Sequence, residues 1–139
     1  MARWRSEEGS VTVFVVGLTL ALMMVAGLVY DGGQILAARR QAHDLADNAA
    51  RAGAQAVDLD ALRSGAPVEL NPLGAQVAAE DYLALTGHAG EVRVTADTVE
   101  VTVTITTPMV LLQLAGISER TVTAKGQARL VRGITGPEA

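Results

Sequence analysis

The chain contains no cysteine, so disulfides, thiolate metal sites and cysteine nucleophiles are excluded together. Aromatic residues are nearly as scarce, with Trp4, Phe14, Tyr30 and Tyr82 the full set in 139 residues. Lysine occurs once, at Lys125, and no basic block stands out from a formal net charge of −4. Nucleic acid, whose phosphates demand clustered Lys and Arg, is therefore not an expected partner. The constellations that carry chemistry are missing as well. His43 and His88 are the two histidines, and neither sits in a ligand-spaced cluster. His43 shares a helical face with Asp47, which makes a solvated pair rather than a site. Asp58-Leu59-Asp60 lacks the remaining ligands of a calcium loop. Glu80 and Asp81 are neighbours, so on a helix they diverge by about 100° and do not converge on a substrate. Gly116-Ile117-Ser118-Glu119-Arg120 misses the second glycine of a nucleophile elbow, and no phosphate loop or dinucleotide fingerprint occurs. These absences point away from an enzyme, a cofactor, a metal or a small-molecule substrate.

What the sequence has instead is a long apolar run. From Val11 to Tyr30 no residue is charged, and Thr12 and Thr19 carry the only side-chain hydroxyls before Tyr30. Twenty helical residues rise about 30 Å, the thickness of a bilayer's hydrocarbon core. A central charge would cost about 2.5–3.5 kcal/mol, so a run without one is expected to insert. The anchor residues of this span are Val11, Phe14, Gly17, Ala21, Gly27 and Tyr30, with Gly17 and Ala21 forming a small-xxx-small pair. Two other readings compete. A buried core helix would need a large domain to surround it. A cleaved signal peptide would have Arg3 and Arg5 as its basic region and Val25-Ala26-Gly27 before the cut. Arginines lie on both sides of the span, Arg3 and Arg5 before it and Arg39 and Arg40 after it, so charge alone leaves the orientation nearly balanced. The short preceding tail favours a cytoplasmic N-terminus and an outside C-terminal domain.

Beyond the span, the three- and four-residue spacing of Ile35, Ala38, Ala42, Leu45 or Ala46, Ala49, Gly53 and Val57 predicts a helix over 34–57. Its apolar stripe is dominated by alanine and glycine, which suits close packing on a sheet or on a neighbouring subunit. Asp47 and Arg51 are spaced for an i,i+4 pair worth about 0.3 kcal/mol. Gly32-Gly33 reads as a hinge at the membrane surface or as a tolerated interruption in one rod. Asp31, the first charge after the span, reads as an interface residue marking where lipid ends, in preference to the alternative of a specific contact.

The rest of the chain alternates turn signals with short elements. Ser64-Gly65, Pro67 and Asn71-Pro72 break a loop over 58–71. Asn71 caps a helix that starts at Pro72 and stops near Leu85, before Gly87. Val92, Val94 and Ala96 alternate with polar residues, as do Val99, Val101, Val103 and Ile105. The offset between the two series predicts a hairpin with a two-residue turn at Asp97-Thr98. A short helix over 109–115, closed by Gly116, leads to a last strand over 120–131. The class is α+β: a long helix packed on a small antiparallel three-stranded sheet, with one or two short helices. The expected division is a cytoplasmic tail (1–10), a transmembrane helix (11–30), an exposed continuation of the helix (31–57) and a small extracytoplasmic domain (58–139).

Several segments are specific enough to carry a resemblance. Gly9-Ser10-Val11-Thr12-Val13-Phe14 leads into the span, which ends in Val29-Tyr30-Asp31-Gly32-Gly33. Ala38-Arg39-Arg40-Gln41, Ala46-Asp47-Asn48-Ala49-Ala50 and Ala52-Gly53-Ala54 follow. This order resembles the N-terminal module of the TadE/TadG-like proteins of the Flp (Tad) pilus and secretion apparatus. The resemblance marks Asp31, Gly32, Gly33, Arg40, Gln41, Ala46, Asp47, Ala49, Ala50 and Gly53 as motif and packing positions. It implies a pilin-like, non-enzymatic membrane component whose partners are the lipid bilayer and other pilin-like or assembly subunits. Processed pilins carry glutamate five positions after the cleavage glycine. Counted from Gly9, that position here is Phe14, which favours permanent anchoring in the cell membrane.

Overall fold

The computed structural model describes residues 7–59, 63–65 and 69–130. Arg3, Trp4, Arg5, Asp60, Pro67 and Val131, each used in the sequence reading, lie outside them. The elements run α1 (Glu7–Ala54), α2 (Pro72–Leu85), β1 (Gly90–Val94), β2 (Thr98–Pro108), a 3-10 turn (Leu112–Ala115) and β3 (Glu119–Arg129). Strand order in the sheet is β1-β2-β3. The architecture is therefore the expected α+β arrangement, with a long helix, a three-stranded antiparallel sheet and one further helix. Helix α1 passes through Gly32 and Gly33 without a break, so the glycines interrupt neither its hydrogen bonding nor its course.

The chain divides into two compact units, Met1–Leu36 with Thr107–Arg120, and Ala37–Thr106 with Thr121–Ala139. The second unit holds the core. Along α1, Ala42, Leu45, Ala46 and Ala49 are buried, as the stripe predicted, and so is Ala50, which the stripe did not include; Ala75, Ala79 and Leu83 of α2 and Val99, Val101 and Val103 of β2 complete the cluster with Leu70. Alanine buries little area, so contact here comes from close approach. A Cβ on Gly53 would stand 2.8 Å from the Ala75 carbonyl oxygen and 3.0 Å from Val99 Cγ1. On β3, a Cβ on Gly126 would run into the backbone of Ala46 and Asp47. The valines supply the transfer energy, about 1.5–3 kcal/mol for each fully buried side chain. The opposite face of the sheet is polar and wet. Thr104 and Thr123 hydroxyls lie 3.1 Å apart, as do those of Thr106 and Thr121, and Lys125 reaches Glu100 at 3.1 Å.

Helix α2 begins as expected. The Asn71 side chain accepts from the Gly74 N–H at 3.0 Å with Pro72 at the first position, and Gly87 follows the last turn at φ 74°. The preceding loop is closed at its base, with Asp58 N–H donating to Glu69 and Asn71 N–H to Ala56, both at 3.0 Å.

Three local expectations are corrected. The hairpin turns at Ala96-Asp97, one residue earlier than predicted, and Val94 pairs with Val99. Thr98 is the reason. It is nearly buried and β-branched, its carbonyl accepts from the Thr95 N–H at 2.8 Å, and its hydroxyl bonds Asp97. The slip moves partners by two positions, so every valine keeps its face. The helix expected over 109–115 shrinks to Leu112–Ala115, because Met109 still pairs across the connection, its N–H donating to Ser118 at 2.9 Å, and the chain turns only after it. The Asp47–Arg51 pair is not among the described ion pairs; Asp47 lies 3.6 Å from His43 Nε2.

Candidate functional site

The candidate site is the apolar part of α1 and what closes over its end, all within the first unit. From Gly9 to Ala26 every residue is exposed, with Phe14 at 69% and Met24 at 76%. A helix apolar on all sides and uncovered by its own chain is what a bilayer accommodates, and the buried-core reading does not hold. Among the described residues, one helix is thus long and apolar enough to cross a membrane, compatible with a single-pass anchor. Val11, Phe14 and Ala21 face outward, and a Cβ on Gly17 would meet nothing within 4 Å, so the Gly17/Ala21 pair is unoccupied by this chain. Tyr30, also exposed, accepts from Gln34 Nε2 at 3.3 Å.

Gly27 is different. It is buried, and a Cβ there would stand 2.8 Å from Leu111 Cβ. One helical turn later comes Asp31, with no exposed surface at all. Its Oδ1 accepts the Val110 N–H at 3.0 Å, and its Oδ2 accepts those of Leu111 at 3.0 Å and Leu112 at 2.6 Å. The first N–H groups of a helical turn have no partner within it. Asp31 supplies that partner with a charged acceptor, which makes short, strong bonds. The expectation of a bare interface residue is therefore corrected: Asp31 makes a specific, buried, three-donor contact. The connection it grips is otherwise self-contained. Met109 N–H donates to Ser118 at 2.9 Å, Ile117 N–H to Leu112 at 3.0 Å, and Gly116 adopts φ 85°.

The remaining motif positions separate into two groups. Ala46, Ala49, Ala50 and Gly53 are buried in the core of their own unit, so this stretch of the stripe is used up within the chain. Arg40 and Gln41 are exposed, and Gln41 Nε2 lies 3.4 Å from His88 Nε2. Gly32 and Gly33 are exposed with open space around them. Among the described residues no group of three or more His, Cys, Asp or Glu comes together as a metal site. Sequence reasoning missed Val110, Leu111, Leu112 and Gly126. For the first three, the available signal was a stretch from Val101 to Ser118 without a single charge.

A scan against protein families decides what this helix resembles. Residues 9–56 match the family described as putative Flp pilus-assembly TadE/G-like. The match covers less than half of the chain. Its bounds nearly coincide with those of α1, so the TadE/G-like segment contains the exposed span, Asp31 and the alanine-rich stripe. That family is described as one of Flp pilus assembly. No curated protein and no solved structure matches the chain significantly.

Proposed function

We propose that this chain is a non-enzymatic, membrane-anchored minor pilin-like component or scaffold in the assembly of Flp/Tad-type pili or the related secretion apparatus. Its span over 11–30 sits in the cell membrane, the tail before it is cytoplasmic, and the α+β domain over 58–139 lies outside. The observation that carries this reading is the coincidence of the TadE/G-like match with a helix whose residues 9–26 are all exposed, uncharged and predominantly apolar. Exposure of that extent is costly in water, where each large apolar side chain forfeits about 1.5–3 kcal/mol of burial, and is relieved by lipid. Phe14 in place of a pilin-type glutamate supports retention in the membrane over extraction into a fibre. Partners then meet it through outward-facing surfaces of the span and of the domain, since the alanine stripe is occupied.

The test is genetic. Deletion of the gene should abolish or sharply reduce thin surface pili, with restoration by the intact chain and not by a version lacking residues 9–30. Normal piliation in the deletion strain would contradict the proposal. N-terminal sequencing of the membrane-associated chain separates the alternative, a released binding module. An intact start supports anchoring, and a mature start near Leu28 supports release.

A further inference from the structure

We propose that the β2–β3 connection, Val110–Ile117, is a second membrane-contacting element, immersed beside the last turn of the span at the headgroup–acyl boundary. This rests on the reading of 11–30 as a bilayer span. Three observations carry it. The first is depth: Leu111 packs on Gly27, and Asp31, one turn or about 6 Å further along the axis, holds Val110, Leu111 and Leu112 by their N–H groups. The connection is thus fixed alongside residues of the span itself. The second is composition. Val110, Leu111, Leu114 and Ile117 are exposed, Leu114 by 88%, and no charge occurs between Glu100 and Glu119. A charge at such depth would be costly, and large apolar side chains there are favourable.

The third observation concerns the backbone. Non-helical chain enters an apolar phase only when its N–H groups are already paired. Here Met109 donates to Ser118, Val110, Leu111 and Leu112 to Asp31, Leu114 to Leu111, Gly116 to Gln113 and Ile117 to Leu112. Asp31 thereby removes the polar groups that would keep an irregular loop in water. Between the connection and the helix runs an apolar groove of about 640 Å³, walled by Leu20, Met23, Met24 and Leu28 on one side and Leu111 and Leu114 on the other. Its walls continue the surface of the span, and its occupant is a lipid acyl chain.

The absence of cysteine makes a direct test available. Single variants Met24→Cys, Leu114→Cys and Lys125→Cys of the full chain are labelled with an environment-sensitive fluorophore and placed in phosphatidylcholine nanodiscs. A portion of the lipid carries a spin label on its acyl chain. Labels at Met24 and Leu114 should shift to the blue and lose most of their emission, while the label at Lys125 should keep it. Quenching at Met24 with a Leu114 label as bright as that at Lys125 would overturn the inference and leave the span intact. No quenching at either position would overturn both. A Leu114 label that is blue-shifted but unquenched, with Leu114→Cys forming disulfides between copies, would assign the groove to a second chain and overturn lipid as its occupant.

Discussion

The two parts of α1 treat apolar residues in opposite ways. Between Val11 and Leu28 the helix carries Leu, Val, Met and Phe, and these large side chains are exposed. Between Ala38 and Gly53 its apolar residues are alanines with one leucine, Leu45, and one glycine, and all of them but the half-buried Ala52 are buried. In water the large residues would be expected inside. On the proposed membrane-anchored reading, side-chain size follows the neighbour. Lipid adapts to any outline, so bulky side chains serve where the helix would meet it. A folded sheet and a second helix do not adapt, and only small residues let their backbones come close.

That contrast is most easily broken on the packed side. Gly126→Val places a branched side chain where even a Cβ meets the Ala46 and Asp47 backbone, so destabilisation should reach or exceed the ~1–3 kcal/mol usual for overpacking. Thermal unfolding in detergent, followed by circular dichroism, reads it, and an unchanged midpoint would refute the close approach. The lipid side breaks through charge. Leu18→Arg, on an exposed residue, should cost about 2.5–3.5 kcal/mol of insertion and shift the chain out of carbonate-washed membranes. A soluble helix would tolerate the same exposed arginine.

Asp31 sharpens the comparison at the point where the two parts of the helix meet. Asp31→Ala should leave the alanine-stripe core folded while exchange of the Val110, Leu111 and Leu112 amides accelerates. Hydrogen exchange with residue resolution checks this. Unaltered protection at those three amides would mean that the carboxylate does not hold the connection. Asp31→Asn, with one acceptor oxygen, should release only part of it. The smallest effect is expected on the wet face of the sheet. Lys125→Ala breaks an exposed pair with Glu100, worth about 0–1 kcal/mol, and should barely move the unfolding midpoint.

Much of the fold was legible because its signals are local. Asn71-Pro72 and Gly87 bracketed α2, the Ala/Gly spacing located the buried face of α1, and alternating valines marked the core face of the hairpin. The hairpin turn was misplaced by one residue because the valine alternation fits both registers, which differ by two positions and leave every valine on its face. Only the Thr95–Thr98 hydrogen bond and the burial of Thr98 decide between them. The grip of Asp31 had no local signal at all, since its partners lie 79 to 81 residues away. Gly126 was hidden for the same reason: one glycine in an alternating strand does not say which backbone will press against it.

The central claim is that residues 11–30 hold this chain in a membrane. Fractionation of cells expressing the intact chain at native level, with carbonate washing and no detergent, tests it most directly. The account predicts recovery in the washed membranes with residues 11–30 retained. A full-length, soluble monomer in the detergent-free supernatant would contradict it.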